Sequence, residues 1–483
     1  MTTYYCDSSA GSDGSGTIGS PFNNANNHVG DLVPGDILYL RGSTNPATPR
    51  VYSGQILIAA SNGCESGTSG SRITIANYPG EYVLVQASSA AHGISVSALN
   101  YWTISGTTTG YGIEISQNGN GQACVNVDGS DFITLQYLEA HDCSYDMIVR
   151  VRDSDDCTVQ YCYIYDNDIL AGTDHSGIMA YPVNSPTSGA DAYRLTVRYC
   201  TITGCAGDCV VIERQFGVNN YFRDVVIEYN DLSPHSTAAA SEQGVDLKSA
   251  YGAVVRYNTF HGFRYCDGSV GSTGAGTGSG CLAVAIISEN ADIYGNTFYD
   301  YSCNGVYANR SNVNIYQNLF YGAVFQSSPV PSYIHNHIYV THTSGTSTVN
   351  VIKNTFVGRH TSGGNCITID VAGTITVNYR NNCHSATGGL SNTGATLNYS
   401  YNGWFASPAA TWSGTGDVTG ADAGFVDAGS NDYRLAPGSA CINAGTVVSP
   451  YTDGYMGSAP DIGYYERPSA GAMRRSKLSW LSL

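Results

Sequence analysis

The side chains best able to do chemistry are concentrated between residues 208 and 248. Asp208 and Glu213 lie in DCVVIER, and Glu242, Asp246 and Lys248 follow in EQGVDLKS. Hydrolysis of a glycosidic bond needs two carboxylates roughly 5 to 9.5 Å apart, one acting as acid and the other as base or nucleophile. Glu213 with Asp246 meets that need on one face, and Asp208 or Glu242 can replace either. Lys248 beside Glu213 also reads as a plain cross-strand ion pair. His335 and His337 in SYIHNHIYV share a strand face and, with His342, form a candidate metal site, although exposed strand histidines are the commoner case. His175 in TDHSG is a weaker acid–base candidate, while Asp155 and Asp156 read as solvated turn residues.

Those residues sit in a repeated unit of strand, turn and strand. FITLQYLEA, TVQYCYIYD, LTVRYCTIT, VVIEYNDLS, VVRYNTFHG, DIYGNTFYD, NIYQNLFYG and NVIKNTFVG align on Leu135, Val159, Val197, Ile227, Val255, Ile293, Ile315 and Val351. The intervals run from 22 residues (Ile293 to Ile315) to 38 (Val159 to Val197), as expected of stacked coils with inserts at their turns. Three positions after the anchors stands the column Cys162, Cys200, Asn230, Asn258, Asn296, Asn318 and Asn354, expected at a tight turn because Asn tolerates left-handed backbone and its amide can bond to its copy in the next coil. Two residues further, Ile164, Ile202, Leu232, Phe260, Phe298, Phe320 and Phe356 form an apolar interior stack.

A second strand precedes each unit: SGIMAY, DCVVIER, QGVDLKS, LAVAIIS and NGVYANR. Strict alternation points Ile178, Val210, Val245, Val284 and Val306 inward. One outward column then holds Met179, Val211, Asp246, Ala285 and Tyr307, and the next holds Tyr181, Glu213, Lys248, Ile287 and Asn309, with Arg150 one coil earlier. Tyr181, Tyr307 and Tyr251 are thereby candidates for stacking on sugar rings, with Arg150 beside them.

The composition excludes several classes. The chain has 483 residues, with 21 Lys+Arg against 38 Asp+Glu and a formal charge of −17, which argues against a nucleic-acid partner. Only 12% of residues are charged, and 57 glycines and 37 tyrosines point to β-structure with many turns rather than a helical bundle. No run reaches the ~18 apolar residues of a membrane span, and MTTYYCDSSAGSDGSG carries no signal-peptide pattern, so no membrane insertion is expected. The 15 cysteines cannot all pair within the chain, their spacing does not suit structural zinc, and Cys266 with Cys281 is a candidate bridge across the Gly-rich insert.

The Asn column and the turns RYNTF, GNTF, QNLF and KNTF resemble those of the pectate-lyase-like superfamily of right-handed parallel β-helices. The resemblance implies an all-β chain, a single-stranded right-handed parallel β-helix solenoid, with an N-terminal cap over residues 1–70, the helix over 71–400, a C-terminal cap over 401–470 and a tail over 471–483. Within it, Lys248-Ser249 followed by Arg256-Tyr-Asn258-Thr-Phe260 resembles the alginate-lyase and chondroitinase-B-like polysaccharide lyases. That likeness implies Lys248 as proton-abstracting base, with Glu242, Asp246 and Asp208 holding Ca²⁺ through hard oxygen donors. The partner arginine in an R-H-G context is missing from the next coil, leaving Arg214 or Arg310 as substitutes.

Two classes of function follow from the resemblance. One is an extracellular or virion-surface β-helix of tailspike type that binds polysaccharide and depolymerises it, as a lyase first or a glycoside hydrolase second. The other is a non-catalytic structural or decoration protein of a phage particle or cell surface. Tailspike likeness implies a homotrimer, and the basic, apolar tail around Arg474, Arg475, Lys477 and Trp480 is a candidate for docking onto other virion proteins.

Overall fold

A computed structural model of the chain describes residues 1–467 except 89–90, 108–109, 119–121, 144–146, 166–175, 183–189, 206, 214–219, 235–242, 264–279, 285–287, 311, 324–335, 343–344, 359–364, 373 and 407–413. The described residues form two compact units, the first mainly from residues 1–254 and the second mainly from residues 289–467 with 255–263. Each is built from coils that contribute one strand to each of three parallel sheets. The architecture is all-β, a parallel β-helix.

In the first unit, sheet 1 contains Ile94–Ser97, Val125–Asp128, Met147–Arg152, Ser176–Tyr181, Val210–Ile212 and Val245–Leu247. Sheet 2 carries the anchors, pairing Leu135 with Val159, Val159 with Val197 and Val197 with Ile227. Sheet 3 stacks Ile164, Ile202 and Leu232 in register, all buried. Residues 1–70, expected as a cap, already supply rungs: Thr3–Cys6 pairs parallel with Ile37–Leu40.

The turn between sheets 2 and 3 differs from expectation in one respect. The residue in left-handed backbone is the one before the ladder position, with φ between 54° and 56° at Tyr137, Tyr161, Tyr199 and Tyr229. A side chain there is strained, but the four rings stack face to face at centroid distances of 5.0, 4.9 and 5.0 Å. They remain 37 to 44% exposed. Because each face lies against the next ring, the column shows solvent only edges and hydroxyls, which does not suit sugar stacking.

In the second unit the Asn ladder runs Asn258, Asn296, Asn318, Asn354, Asn382 and Asn402. Each Oδ1 accepts the backbone N–H of the Asn one coil earlier at 3.0 Å. The amide NH₂ groups donate to main-chain carbonyls, as Asn318 does to Ile293 at 2.9 Å. Ladder asparagine therefore holds the turn by satisfying buried backbone groups, not by adopting left-handed backbone itself. Inside, Phe260, Phe298, Phe320, Phe356, His384 and Trp404 stack in one column with spacings of 4.7, 4.6, 5.1, 5.0 and 3.8 Å.

The closing segment packs Cys441 and Ile462 onto Cys383 and Phe405. It is fastened by Lys353, whose side chain is 1% exposed and reaches Glu466 Oε2 at 2.8 Å and the Gly463 carbonyl at 3.0 Å. The Cys383 and Cys441 sulfurs lie 3.8 Å apart as free thiols. The Cys281 sulfur lies 4.0 Å from that of Cys303, and its expected partner Cys266 lies outside the described residues.

Candidate functional site

Lys248 and its neighbours are assembled by the register of sheet 1. Val211 pairs with Asp246 and Ile212 with Leu247, and the Glu213 and Lys248 N–H groups continue the ladder to the Ala180 and Ile212 carbonyls. Alternation therefore leaves Asp246 and Lys248 on the outer side, with Glu213 one rung before the lysine. Lys248 Nζ lies 3.0 Å from Glu213 Oε2, 3.6 Å from Asp246 Oδ2 and 4.0 Å from Asp208 Oδ2. Asp208, 2% exposed, is pinned through its other oxygen by the Gln243 N–H at 2.9 Å.

Among the described residues, three carboxylates thus face one ammonium, a formal excess of two negative charges. Burial pulls the Lys248 pKa down, but the charges of Asp208, Asp246 and Glu213 outweigh it and hold it well above the ordinary lysine value. The resting amine is an ammonium, a donor to oxygen with no lone pair to take a proton. The carboxylates are arranged around that ammonium. Among the described residues, no group of three or more His, Cys, Asp or Glu is disposed to hold a metal ion.

The structure brings together Lys248, Glu213, Asp246 and Asp208 from the sequence-derived set. Arg214, Glu242 and His175 lie outside the described residues. Tyr181 and Tyr307, expected to project, are instead buried at 7% and 4% exposure. Tyr307 tilts against Tyr339 at 5.7 Å and accepts a hydrogen bond from Asn309 at 3.1 Å. Alternation gives the side of the sheet a residue leaves from, not what covers it. Arg150 pairs with Met179, and Arg152 takes the place beside Tyr181. In the second unit, Ala283 rather than Ala285 pairs with Tyr307; this two-residue shift keeps the faces but moves the column. Arg310, also in that unit, has a buried Nε with no hydrogen-bond partner among the described residues.

His337 is corrected outright. It is a core residue 1% exposed, accepting from the Tyr301 hydroxyl at Nδ1 and donating from Nε2 to the Gly358 carbonyl at 3.1 Å. Burial lowers its pKa to about 4. His335 lies outside the described residues.

Two polar groups escaped the sequence reading. On sheet 3 of the first unit, His141 bridges Glu114 at 3.0 Å and Asp142 at 2.8 Å, and these carboxylates raise its pKa against the opposing effect of burial. On sheet 1, Arg150 contacts Asn126 and His92. Alternation marks Asn126 as outward, but no spacing links His92 to Arg150, 58 residues away.

No family model matches the chain, and no curated protein matches it in sequence. Among solved structures, pectate lyase Pel9A is 18% identical, with 97% of this chain and 96% of that one covered and a TM-score of 0.45. An alginate lyase from Paenibacillus sp. str. FPU-7 is 16% identical over 82% of this chain and 99% of that one, TM-score 0.43. PfbA, a surface adhesin of Streptococcus pneumoniae, is 12% identical over 83% and 92%, TM-score 0.42. The three parallel sheets and the turn ladder of this chain make a parallel β-helix. No helix among the described residues is long and apolar enough to cross a membrane.

Proposed function

We propose that this chain is a polysaccharide-binding β-helix of a cell or virion surface, and that the outer face of sheet 1 in its first unit holds the glycan. The convergence of Asp208, Glu213 and Asp246 on Lys248 carries this reading. Hydrophobic packing of the coils needs none of these groups, yet they are fixed relative to one another by hydrogen bonds and register. A preset row of carboxylate acceptors beside an ammonium donor matches the hydroxyl and carboxylate groups of a sugar, and pre-organisation lowers the entropy cost of binding.

The lysine favours a second, finer reading, eliminative cleavage of a uronate with Lys248 as base. Elimination requires the amine to lose its proton, which the three carboxylates oppose. Calcium, implied by the lyase resemblance, would compete with the ammonium for the oxygens of Asp208 and Asp246. The described residues show the ammonium arrangement, so binding is the primary proposal and cleavage the secondary one.

The test combines glycan retention with the ultraviolet absorbance of unsaturated uronate products, with and without calcium, on wild type and Lys248→Ala. Retention of a polysaccharide is expected. A calcium-dependent rise in absorbance, lost in the variant, supports elimination; no rise with any uronate overturns it. Failure of the wild type to retain any glycan overturns the binding function and leaves the structural, decoration role.

A further inference from the structure

We propose that Arg150, oriented by Asn126 and His92, is a binding site for the carboxylate of a uronic acid unit, so that the outer face of sheet 1 reads acidic glycans. This deepens the binding function proposed above and rests on it.

The cations on this face differ in how they are matched. Arg152 is paired with Asp128, its Nε 2.7 Å from Oδ1 and its Nη2 on the other oxygen. Lys248 is over-matched by three carboxylates. Among the described residues Arg150 has only neutral partners: Nε donates to Asn126 Oδ1 at 2.7 Å, and Nη2 approaches His92 Nε2 at 3.4 Å. Two of the five guanidinium N–H donors are used, leaving three for a planar, doubly accepting anion. In a chain with 38 acidic residues against 21 Lys and Arg, a cation left uncompensated on the outer face of a sheet is a local exception.

The partners orient this charge without cancelling it. Asn126 is 3% exposed, and its NH₂ donates to Ser95 Oγ at 2.9 Å, which turns Oδ1 toward the arginine. His92 Nδ1 donates to the Ala123 carbonyl at 3.2 Å, so Nε2 offers a lone pair to Arg150. Burial, then the Arg150 charge, lowers the His92 pKa to about 4, which keeps the ring neutral. A purely structural arginine behaves differently. Arg72 joins neighbouring strands through Thr103 Oγ1 at 2.9 Å and the carbonyls of Trp102 and Phe132, whereas Arg150 contacts no backbone carbonyl among the described residues.

The column continues from Arg150 through Met179 and Val211 to Asp246, three rungs or about 14 Å. Arg150 and the Lys248 cluster are therefore too far apart to contact the same sugar. The positive centre missing beside the lysine is not supplied by Arg150; its role is to hold and select the glycan.

The test is calorimetric binding of short oligogalacturonates and oligomannuronates, and of their neutral methyl esters, to wild type, Lys248→Ala, Lys248→Ala/Arg150→Gln and Lys248→Ala/Asn126→Asp. The Asn126→Asp change keeps an acceptor for Nε while cancelling the arginine's charge. Both second changes are expected to weaken acid binding at least about tenfold and to leave ester binding unchanged. Equal losses for acid and ester, or no loss in either variant, overturn the subsite while leaving glycan binding intact. If the wild type binds none of these oligomers but retains a neutral polysaccharide, the acidic specificity falls alone; if it binds no glycan, the binding function falls with it.

Discussion

Lys248 and Lys353 are each held by carboxylates, and the contrast between them separates fastening from function. Lys353 is 1% exposed, meets one carboxylate and fills its remaining donor positions with the carbonyls of Gly463 and Tyr465. Charge is balanced, and the contact joins residues more than 110 positions apart, so the closing segment is tied to the coils. Lys248 is 22% exposed and meets three carboxylates, Asp246 from its own rung and Asp208 and Glu213 from the one before. Its carboxylates outnumber it three to one among the described residues. A buried pair that is charge-neutral and saturated is structural, while one that is over-matched at a surface is available for exchange.

The strongest way to break this contrast is Lys353→Met. Leaving half-buried Glu466 without its cation, and the Gly463 and Tyr465 carbonyls without their buried donor, should cost about 3 kcal/mol, read by denaturant unfolding; a loss no larger than that of Lys248→Ala would erase the distinction. Acid sharpens it next. His337 has a folded pKa of about 4 against about 6.5 for a free histidine, so between those values the unfolded chain binds the extra proton. Stability should fall as pH drops from about 6.5 to about 4, by about 3 kcal/mol in total from this residue, and His337→Phe should flatten that slope.

Lys248→Ala should cost less, about 1–2 kcal/mol at neutral pH, from carboxylate repulsion across adjacent rungs. Calcium should raise the variant's melting temperature more than the wild type's, since the ammonium no longer competes; equal shifts would show that the carboxylates do not act as one cluster. The smallest effect is expected for Tyr161→Gly. It relieves a left-handed residue and removes one exposed ring, for a net change within about 1 kcal/mol, visible as a small melting shift.

The repeat was legible because packing enforces it. Phe260, Phe298 and Phe320 must stack for the interior to fill, so their spacing survives in the sequence. The Glu213–Lys248 contact was legible for the same reason, since register alone creates it. Coverage was not legible: Tyr181 and Tyr307 leave the sheet on the expected side and are nonetheless buried, because periodicity carries no information about what lies above a face. Long-range closures were equally hidden. Nothing in KNTF announces that its lysine meets Glu466, or in SYIHNHIYV that His337 belongs to the core.

The column of tyrosines at Tyr137, Tyr161, Tyr199 and Tyr229 has an optical consequence. Four near-parallel phenol rings about 5 Å apart, one from each of four successive coils, are close enough for their electronic transitions to couple. The near-ultraviolet circular dichroism of the protein should carry an exciton signature that exists only while adjacent coils remain stacked. Mixing those transitions across rungs gives the solenoid an intrinsic spectroscopic gauge of whether its coils separate singly or together during unfolding.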